Sequence, residues 1–472
     1  MSDPQSVLFI LPDCPGYFTE LFYKLGMQVK EKGHTPVFIS TSPFYEKFKK
    51  VNLSTVGKVY YLNDFLASDM NRLEYENIPV NNWSFYSSFI RQRYFFGRFL
   101  NKRDTLRKTK LFFQRIFDEH RTALVVSEGV SNSFIYLGYE QASHNKIPFF
   151  GFMASRIPYH FNIHIDIEGN EVLLNKSAPA EYTDSGAVPD YMKNSQFGGL
   201  FNKEYSFASF TFLREIIRFV FLNRYSSLET GNTKLSLLKV YQIAVRRMFF
   251  DLYFSRLLRV FSRMVTFLPE KVYVVYPLHF FPEASTSVQA RYYDGNEFNL
   301  IKNIAFSLPE NAVLVVKEHK SNVGNNSRRF YQDVKHLPNV ILLDPYYKLK
   351  ENLHRFDAVV TLTSTVGFEA LANDVPVYVL GEVFYQNYPG SRKINSYSEL
   401  NSALEKIQKR PILSGKNMTF NLYQNMCFPG SFNYMDSGCL IPENITCLMK
   451  PVFDFLETRS LPKHKNNVHE QG

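Results

Sequence analysis

Hydroxyl side chains follow an apolar run in the segment DAVVTLTSTVGFEAL. The run has the character of a buried strand, and Ser364 and Thr365 stand where a helix would begin. Backbone N–H groups at such a turn attract anions, and the two hydroxyls would add donors to a phosphate. Gly367 would let the ligand approach closely, and Glu369 would bond a ribose hydroxyl. The segment therefore predicts a nucleotide-binding site, with plain helix capping as the alternative.

Ionisable side chains end a second apolar run, in AVLVVKEHKSNVG. Lys317, Glu318 and His319 follow this run at the carboxyl edge of a predicted parallel sheet, where open α/β sheets bind ligands. Cleavage of a glycosyl nucleotide leaves negative charge on its phosphate, which a lysine or a histidine can neutralise or protonate. We therefore predict Lys317 and Glu318 as nucleotide-binding residues and His319 as a catalytic residue.

A carboxylate ends a third apolar run, in TALVVSEGVSNSF. Glu128 follows the predicted strand directly and precedes a predicted helix. A carboxylate in this position would serve glycosyl transfer as the base that deprotonates an acceptor hydroxyl, or as the nucleophile that attacks the anomeric carbon. We predict Glu128 as catalytic, and a glutamate that only caps the helix is the alternative.

Two irregular segments supply further polar side chains. VYVVYPLHFFPEAST contains His279 and Glu283 in a loop that its prolines stiffen, and FMASRIPYHFNIHID contains Arg156. We predict that His279 and Arg156 bind substrate and that Glu283 is a second catalytic carboxylate.

Two sets of short apolar runs must position these side chains. The runs alternate with amphipathic stretches, which is typical of parallel sheets covered by helices. The strands predicted for the first set are Val7–Leu11, Pro36–Ser40, Val59–Leu62, Ala123–Ser127 and Pro148–Phe152, with helices at Thr19–Lys32 and Asp104–His120. Those predicted for the second set are Val272–Tyr276, Ala312–Lys317, Val340–Leu343, Ala358–Leu362 and Val375–Leu380, with helices at Asn299–Ser307 and Val366–Ala372.

The length of 472 residues favours two domains, because one hydrophobic core seldom organises more than about 300 residues. We predict an α/β protein of two Rossmann-like domains. Residues 1–268 would form an acceptor-side domain with a helical insertion over 209–268, and residues 269–472 a domain that binds a nucleotide sugar. The boundary would lie near residues 265–271.

Several classes of protein are disfavoured by what the sequence lacks. It has no G-x-G-x-x-G, G-x-x-x-x-G-K-[ST] or G-x-S-x-G motif, which argues against dinucleotide dehydrogenases, P-loop enzymes and α/β-hydrolases. Its four cysteines form no C-x-x-C pair, so neither a zinc site nor a disulfide framework is expected. No Asp-x-Asp pair occurs, and we infer no metal requirement.

Charge and hydropathy bear on location and partners. The formal net charge of +10 indicates attraction to an anionic partner. The first residues lack a basic stretch before their short apolar run, which predicts a cytoplasmic protein without a signal peptide, and no apolar run approaches the ~18 residues of a spanning helix. Arginine and phenylalanine alternate over 209–268 in a way that suits a membrane surface, although packing against the sheets is the favoured alternative.

Together, the segments YPLHFFPEAST, VKEHKSNVG and TLTSTVGFEAL resemble successive loops of the bacterial capsule polysaccharide synthesis proteins, a family that includes β-Kdo transferases. More distantly, Ser127–Gly129 resembles an acidic motif of bacterial sialyltransferases. The resemblance implies the GT-B architecture, with the active site in the interdomain cleft. It also implies that Glu128 is the catalytic carboxylate, that His319 meets the nucleotide phosphate, and that Ser364 and Thr365 hold the phosphate of CMP.

The predicted function is therefore transfer of an acidic sugar such as Kdo from a CMP-sugar to a glycan or glycolipid of the bacterial surface, with peripheral attachment to the inner membrane face and without nucleic acid. Ser127 and Lys320 depart from the sialyltransferase pattern, which leaves the donor sugar open. A UDP-sugar transferase or a UDP-N-acetylglucosamine 2-epimerase-like enzyme is the alternative. A basic, aromatic-rich scaffold that binds nucleic acid or membranes is a third reading.

Overall fold

The computed structural model describes residues 5–11, 17–43, 46, 51–80, 102–167, 261–279, 284–290, 292–293, 297–319, 322, 326–410, 418–433 and 438–458. The chain divides into two compact units. The described residues of the first unit fall within 5–167 and 424–458, and those of the second within 261–423.

The first unit alternates strands and helices. Its strands are β1 (Ser6–Ile10), β2 (Thr35–Ser40), β3 (Lys58–Tyr61), β4 (Thr122–Glu128), β5 (Phe149–Ala154), β6 (His160–His164) and, from the C-terminal part of the chain, β13 (Phe428–Pro429). Its helices are α1 (Tyr17–Glu31), α2 (Leu62–Ala67), α3 (Lys102–Glu119), α4 (Ser133–His144) and α12 (Pro442–Thr458), with short 3-10 helices at Leu53–Thr55 and Arg72–Glu74.

The second unit repeats this alternation. Its strands are β7 (Val272–Pro277), β8 (Ala312–Lys317), β9 (Val340–Leu343), β10 (Ala358–Thr361), β11 (Val377–Val379) and β12 (Ser391–Lys393). Its helices are α5 (Ala284–Ser287), α6 (Glu297–Ser307), α7 (Arg328–Lys335), α8 (Leu349–Asn352), α9 (Thr365–Leu371), α10 (Tyr397–Leu404) and α11 (Met418–Gln424), with a 3-10 helix at Leu353–Arg355.

Strand order gives both units a Rossmann-like sheet. In the first unit the order is β13-β6-β5-β4-β1-β2-β3, and β1 to β5 are parallel. In the second unit it is β12-β11-β10-β7-β8-β9, parallel throughout the described strands. The order in which strands are added to the sheet reverses between β1 and β4 in the first unit and between β7 and β10 in the second. Such switch points form ligand crevices at the carboxyl ends of the strands. The prediction of two Rossmann-like domains is confirmed.

Burial explains why these segments form strands and helices. Every residue of β1 and β7 is buried, as expected for central parallel strands that helices cover on both faces. On α1, the buried residues Leu21, Phe22, Leu25 and Val29 follow the three-to-four spacing of one helix face and pack into the core of the first unit. Sequence periodicity and packing therefore agree here.

The described C-terminal residues, 424–458, lie in the first unit, which differs from the predicted division at residue 268. On α12, Leu448, Met449 and Val452 are fully buried in the same cluster as Val7 and Phe9 of β1. The helix therefore completes the first core, and the described residues from 424 to 458 belong to the first unit and not to the predicted second domain.

The stretch before β7 also differs from its prediction. The predicted helix over 209–268 lies outside the described residues up to 260, but 261–268 are not helical. Ser262 donates its N–H to Leu342 O at 2.7 Å and accepts from the N–H of Asp344 at 2.9 Å. Ser262 thus forms a single parallel bridge with Leu343 of β9, and the segment belongs to the second unit.

No helix in the described part of the chain is long and apolar enough to cross a membrane.

Candidate functional site

A histidine spans the switch point of the second sheet. His279 follows β7 by two residues, and its Nε2 accepts the backbone N–H of Thr363, which follows β10, at 3.1 Å. Thr361 Oγ1 lies 3.5 Å from the same nitrogen. The two loops that sequence analysis assigned to substrate and phosphate therefore meet directly, through the ring of His279.

The ring of His279 is neutral. Its side chain is buried, and burial, with the neighbouring His319, lowers the pKa of His279 to about 3. Because Nε2 accepts a hydrogen bond, the proton resides on Nδ1, which has no hydrogen-bond partner among the residues described. The only contacts of the His279 ring nitrogens seen here are with the loop after β10, so the residue positions that loop; the predicted contact with substrate stays a prediction.

The loop after β10 forms a capped turn into α9. Ser364 is the N-cap, and its Oγ accepts the N–H of Val366 at 3.2 Å, while its own N–H donates to Thr361 Oγ1 at 3.0 Å. Thr365 is the first residue of the helix. Both hydroxyl residues thus lie at the carboxyl edge of the sheet, as predicted, and the capping alternative holds for Ser364 as well.

Gly367 packs closely against Tyr385. A Cβ on Gly367 would lie 2.5 Å from the hydroxyl oxygen of Tyr385 and 2.8 Å from two of its ring carbons. Tyr385 in turn donates its hydroxyl hydrogen to Ser364 O. The space on the Cβ side of Gly367 is therefore filled by Tyr385, which secures the turn, and the predicted close approach of a ligand stays a prediction.

Replacing Gly367 with alanine should lower the free energy of unfolding by about 1–3 kcal/mol, because the new methyl group displaces Tyr385 in a packed region. Thermal unfolding measures the loss. In the double variant with Tyr385→Phe the closest clash is removed, so the combined loss should be smaller than the sum of the two single losses. Strict additivity of the two substitutions would contradict the contact.

The three predicted residues at the carboxyl end of β8 differ in exposure and in the groups that they contact. His319 is exposed at the carboxyl edge of the sheet. Lys317 Nζ donates to Pro345 O at 3.0 Å and to Glu318 O at 3.2 Å, so its ammonium group supports two loop carbonyls.

Glu318 is fully buried. Its Oε1 accepts the N–H of His319 at 2.7 Å, and its Oε2 accepts the hydroxyl of Tyr331 at 2.5 Å and the amide of Asn326 at 3.0 Å. Burial raises the pKa of Glu318 even though these donors favour the charged form. The carboxylate therefore shapes the loop from inside, and the predicted direct contact with a nucleotide has no support in this geometry.

Glu369 forms an ion pair across two helices. Its Oε1 lies 2.5 Å from Nζ of Lys350 on α8. The carboxylate of Glu369, in the second turn of α9, is thus paired with a lysine. Its predicted contact with a ribose hydroxyl stays a prediction.

Glu128 ends β4 beside the switch point of the first sheet. Its Oε1 accepts the hydroxyl of Ser131, and the side chain is half-buried. Ser127, its neighbour, is fully buried and donates its hydroxyl to Ile10 O at 2.8 Å. Glu128 is thus at the edge where ligands bind, whereas Ser127 serves the sheet.

Two further residues, Arg156 and Glu283, were predicted in loops. Arg156 lies just after β5, which pairs in parallel with β4, so Arg156 and Glu128 share one edge of the first sheet. Glu283 lies outside the described residues.

One acid at the second edge was missed by the sequence analysis. Glu297 is the first residue of α6, and its Oε1 accepts the N–H of His279 at 3.2 Å. In the sequence it resembles any first-turn acid that complements a helix dipole, so only its contact with a distant loop distinguishes it.

No group of three or more His, Cys, Asp or Glu side chains in the described ranges is arranged to hold a metal ion. Cys427, Cys439 and Cys447 are free thiols.

Solved structures resemble this chain at low identity. A β-Kdo 2,4 transferase, KpsC of Thermosulfurimonas dismutans, is 15% identical with a TM-score of 0.30, and the match covers 60% of this chain and 79% of that one. The β-Kdo 2,7 transferase of the same organism is 14% identical with a TM-score of 0.30, covering 65% and 88%. The S. aureus MnaA–UDP co-structure is 12% identical with a TM-score of 0.29, covering 96% and 97%. At these TM-scores the resemblance carries no functional argument.

No curated protein sequence matches this chain. A family model, that of the capsule polysaccharide biosynthesis proteins, matches residues 259–405. The matched range contains every strand of the second sheet and all the loops in which the sequence resemblance was found, apart from that of Glu128. Over residues 259–405 this chain is therefore similar to the capsule polysaccharide biosynthesis proteins, as its loops predicted.

Proposed function

We propose that this protein is a glycosyltransferase that transfers an acidic sugar, such as Kdo, from a CMP-sugar to a glycan or glycolipid of the bacterial surface. The observation that carries the proposal is the capsule-family match over 259–405, which coincides with a Rossmann-ordered sheet whose switch point is spanned by His279 and Thr363. Ligands of open parallel sheets bind at such a point.

The second unit binds the nucleotide. The donor's phosphate accepts hydrogen bonds from the hydroxyl groups of Ser364 and Thr365 at the start of α9, where the helix dipole favours negative charge. His319, exposed at the same edge, meets the charge that develops on the departing CMP. Lys317 adds positive charge behind the loop.

The first unit supplies the carboxylate. As general base, Glu128 takes the proton of the acceptor hydroxyl while the bond between the anomeric carbon and the phosphate oxygen breaks and CMP leaves, which inverts the anomeric centre. As nucleophile, Glu128 forms a glycosyl-enzyme that the acceptor then opens, which retains it. Arg156, at the same sheet edge, binds the carboxylate of an acidic sugar.

Charge supports the remaining parts of the proposal. A net charge of +10 suits an anionic donor, an anionic glycan and anionic lipid headgroups at the inner face of the cytoplasmic membrane. Phosphate stabilisation by the turn and by His319 requires no metal ion in this scheme.

Calorimetric binding of CMP, UDP and GDP tests the donor class. We expect CMP to bind best, and the double variant Ser364→Ala/Thr365→Ala to weaken CMP by about tenfold or more, because hydrogen bonds to charged groups contribute about 1.5–3 kcal/mol each. The matched control is Ser396→Ala, since Ser396 caps α10 in the same unit through the N–H of Glu399. It loses the same kind of cap without touching the proposed site.

The outcomes separate the alternatives. Preference for UDP would replace the proposal with a UDP-sugar transferase or a 2-epimerase-like enzyme. Absence of nucleotide binding, together with salt-dependent binding to nucleic acid, would favour the scaffold. Equal loss of CMP affinity in the Ser396→Ala control would mean that cap loss alone, and not the phosphate contact, causes the effect.

A further inference from the structure

Glu297 connects the start of α6 to the loop after β7. Its Oε1 accepts the backbone N–H of His279 at 3.2 Å. This hydrogen bond fixes the main chain at the residue whose ring reaches across the switch point. Glu297 therefore acts on the position of His279 without contacting the loop after β10.

The ring of His279 passes this position on to Thr363. Its Nε2 accepts the N–H of Thr363 at 3.1 Å, and Thr361 Oγ1, 3.5 Å from the same nitrogen, accepts the N–H of Ser364 at 3.0 Å. The N–H of Thr363 is thus held by the His279 ring itself, and the N–H of Ser364 by a hydroxyl that the ring touches. A shift of His279 would release the first of them.

The surroundings of Glu297 keep its carboxyl group protonated, so that it contacts His279 as a neutral acid. Among the described residues, its carboxyl group interacts electrostatically with Tyr276 of β7, with Glu318 after β8 and with Tyr331 of α7. Burial and then the charge of Glu318 raise the pKa of Glu297 to about 8, so that the carboxyl group is protonated at neutral pH. A protonated carboxyl group still accepts through its carbonyl oxygen, and a glutamine amide has the same acceptor in the same position.

We propose that Glu297 is a positioning residue of the nucleotide site, which acts through His279 to hold the Thr363–Ser364 turn. The proposal depends on the proposed function for the identity of the ligand, and on the hydrogen bonds alone for the effect on the turn. It assigns a role to an acid that lies outside the motifs that the sequence analysis identified.

Hydrogen exchange followed by mass spectrometry, combined with CMP calorimetry, tests it on the full chain. In Glu297→Ala we expect amides of residues 360–366 to exchange about tenfold faster and CMP to bind about tenfold more weakly, as for one lost hydrogen bond. Glu297→Gln should behave like the wild type in both measurements, because the acceptor is kept. Glu310→Ala removes an exposed acid just beyond the other end of α6 and should change neither.

The combination keeps the outcomes distinct. Wild-type exchange at 360–366 in Glu297→Ala would overturn the inference, and so would a Glu297→Gln variant as impaired as alanine. If alanine prevents folding, Glu297→Asp, whose shorter side chain withdraws from His279, should give the faster exchange that glutamine does not. If the wild type binds no nucleotide, the proposed function fails, while the exchange data still decide whether Glu297 holds the turn.

Discussion

Replacing Glu128 with glutamine should lower the rate of sugar transfer by about 10²- to 10⁴-fold, the usual contribution of a positioned acid or base. The amide keeps the size of the carboxylate and can still accept from Ser131, so the fold should be unchanged. CMP affinity should also be unchanged, because the proposed nucleotide contacts belong to the other unit. Release of CMP from CMP-Kdo in the presence of a lipid-linked oligosaccharide acceptor measures the rate.

The matched control for this variant is Glu119→Gln. Glu119 is an exposed acid of the same unit, paired with Lys58 at the amino end of β4, on the opposite edge of the sheet. Exposed pairs of this kind contribute little to stability, so this control should retain full activity. Full activity of Glu128→Gln as well would remove Glu128 from the mechanism and leave Glu283 as the remaining predicted carboxylate.

The central strands of both sheets could be predicted from the sequence because burial on both faces demands long apolar runs. The ten predicted strands correspond to β1–β5 and β7–β11, most of them within a residue or two. Of the three that were missed, β12 (Ser-Arg-Lys) and the two-residue β13 lie at sheet edges, and β6, next to β13, alternates polar and apolar residues. At an edge, hydrogen bonding to one neighbour suffices, and the sequence carries no apolar run to report it.

The domain to which the last helix belongs could not be predicted, for a related reason. The spacing of Leu448, Val452 and Phe455 predicts an apolar face, but a face does not specify which sheet it covers. Contacts between distant parts of the chain decide that question, and here they assign α12 to the first core.

The candidate site shows the same limit at the level of side chains. Sequence order correctly brought Ser364 and His319 to one sheet edge, since parallel strands end on the same side. It could not separate side chains that face the edge from those that turn inward, such as Glu318, nor detect that Gly367 makes room for Tyr385. Glu297 was missed because its partner is the backbone N–H of His279. Almost every residue has such a group, so the sequence does not single it out.

Replacing Glu318 with alanine should lower the free energy of unfolding of the second unit by about 3–5 kcal/mol. The change leaves the buried hydroxyl of Tyr331 and the buried amide of Asn322 without this acceptor, as well as the half-buried amide of Asn326, and each buried unsatisfied donor costs about 1–3 kcal/mol. For a unit of this size, the midpoint of thermal unfolding should fall by ~10 °C. Calorimetry or circular dichroism on heating measures the shift.

The comparison with two other variants gives this prediction its meaning. Glu405→Ala removes an exposed acid of the same unit and should change stability by no more than about 0.5 kcal/mol. Glu318→Gln keeps one oxygen acceptor, so it should lose less than alanine does. If alanine instead leaves stability unchanged but weakens CMP binding, Glu318 contacts the nucleotide as the sequence first predicted, and the loop after β8 is held by other groups. If alanine lowers stability and glutamine lowers it to a smaller extent, the buried carboxylate of Glu318 stabilises the loop that contains His319.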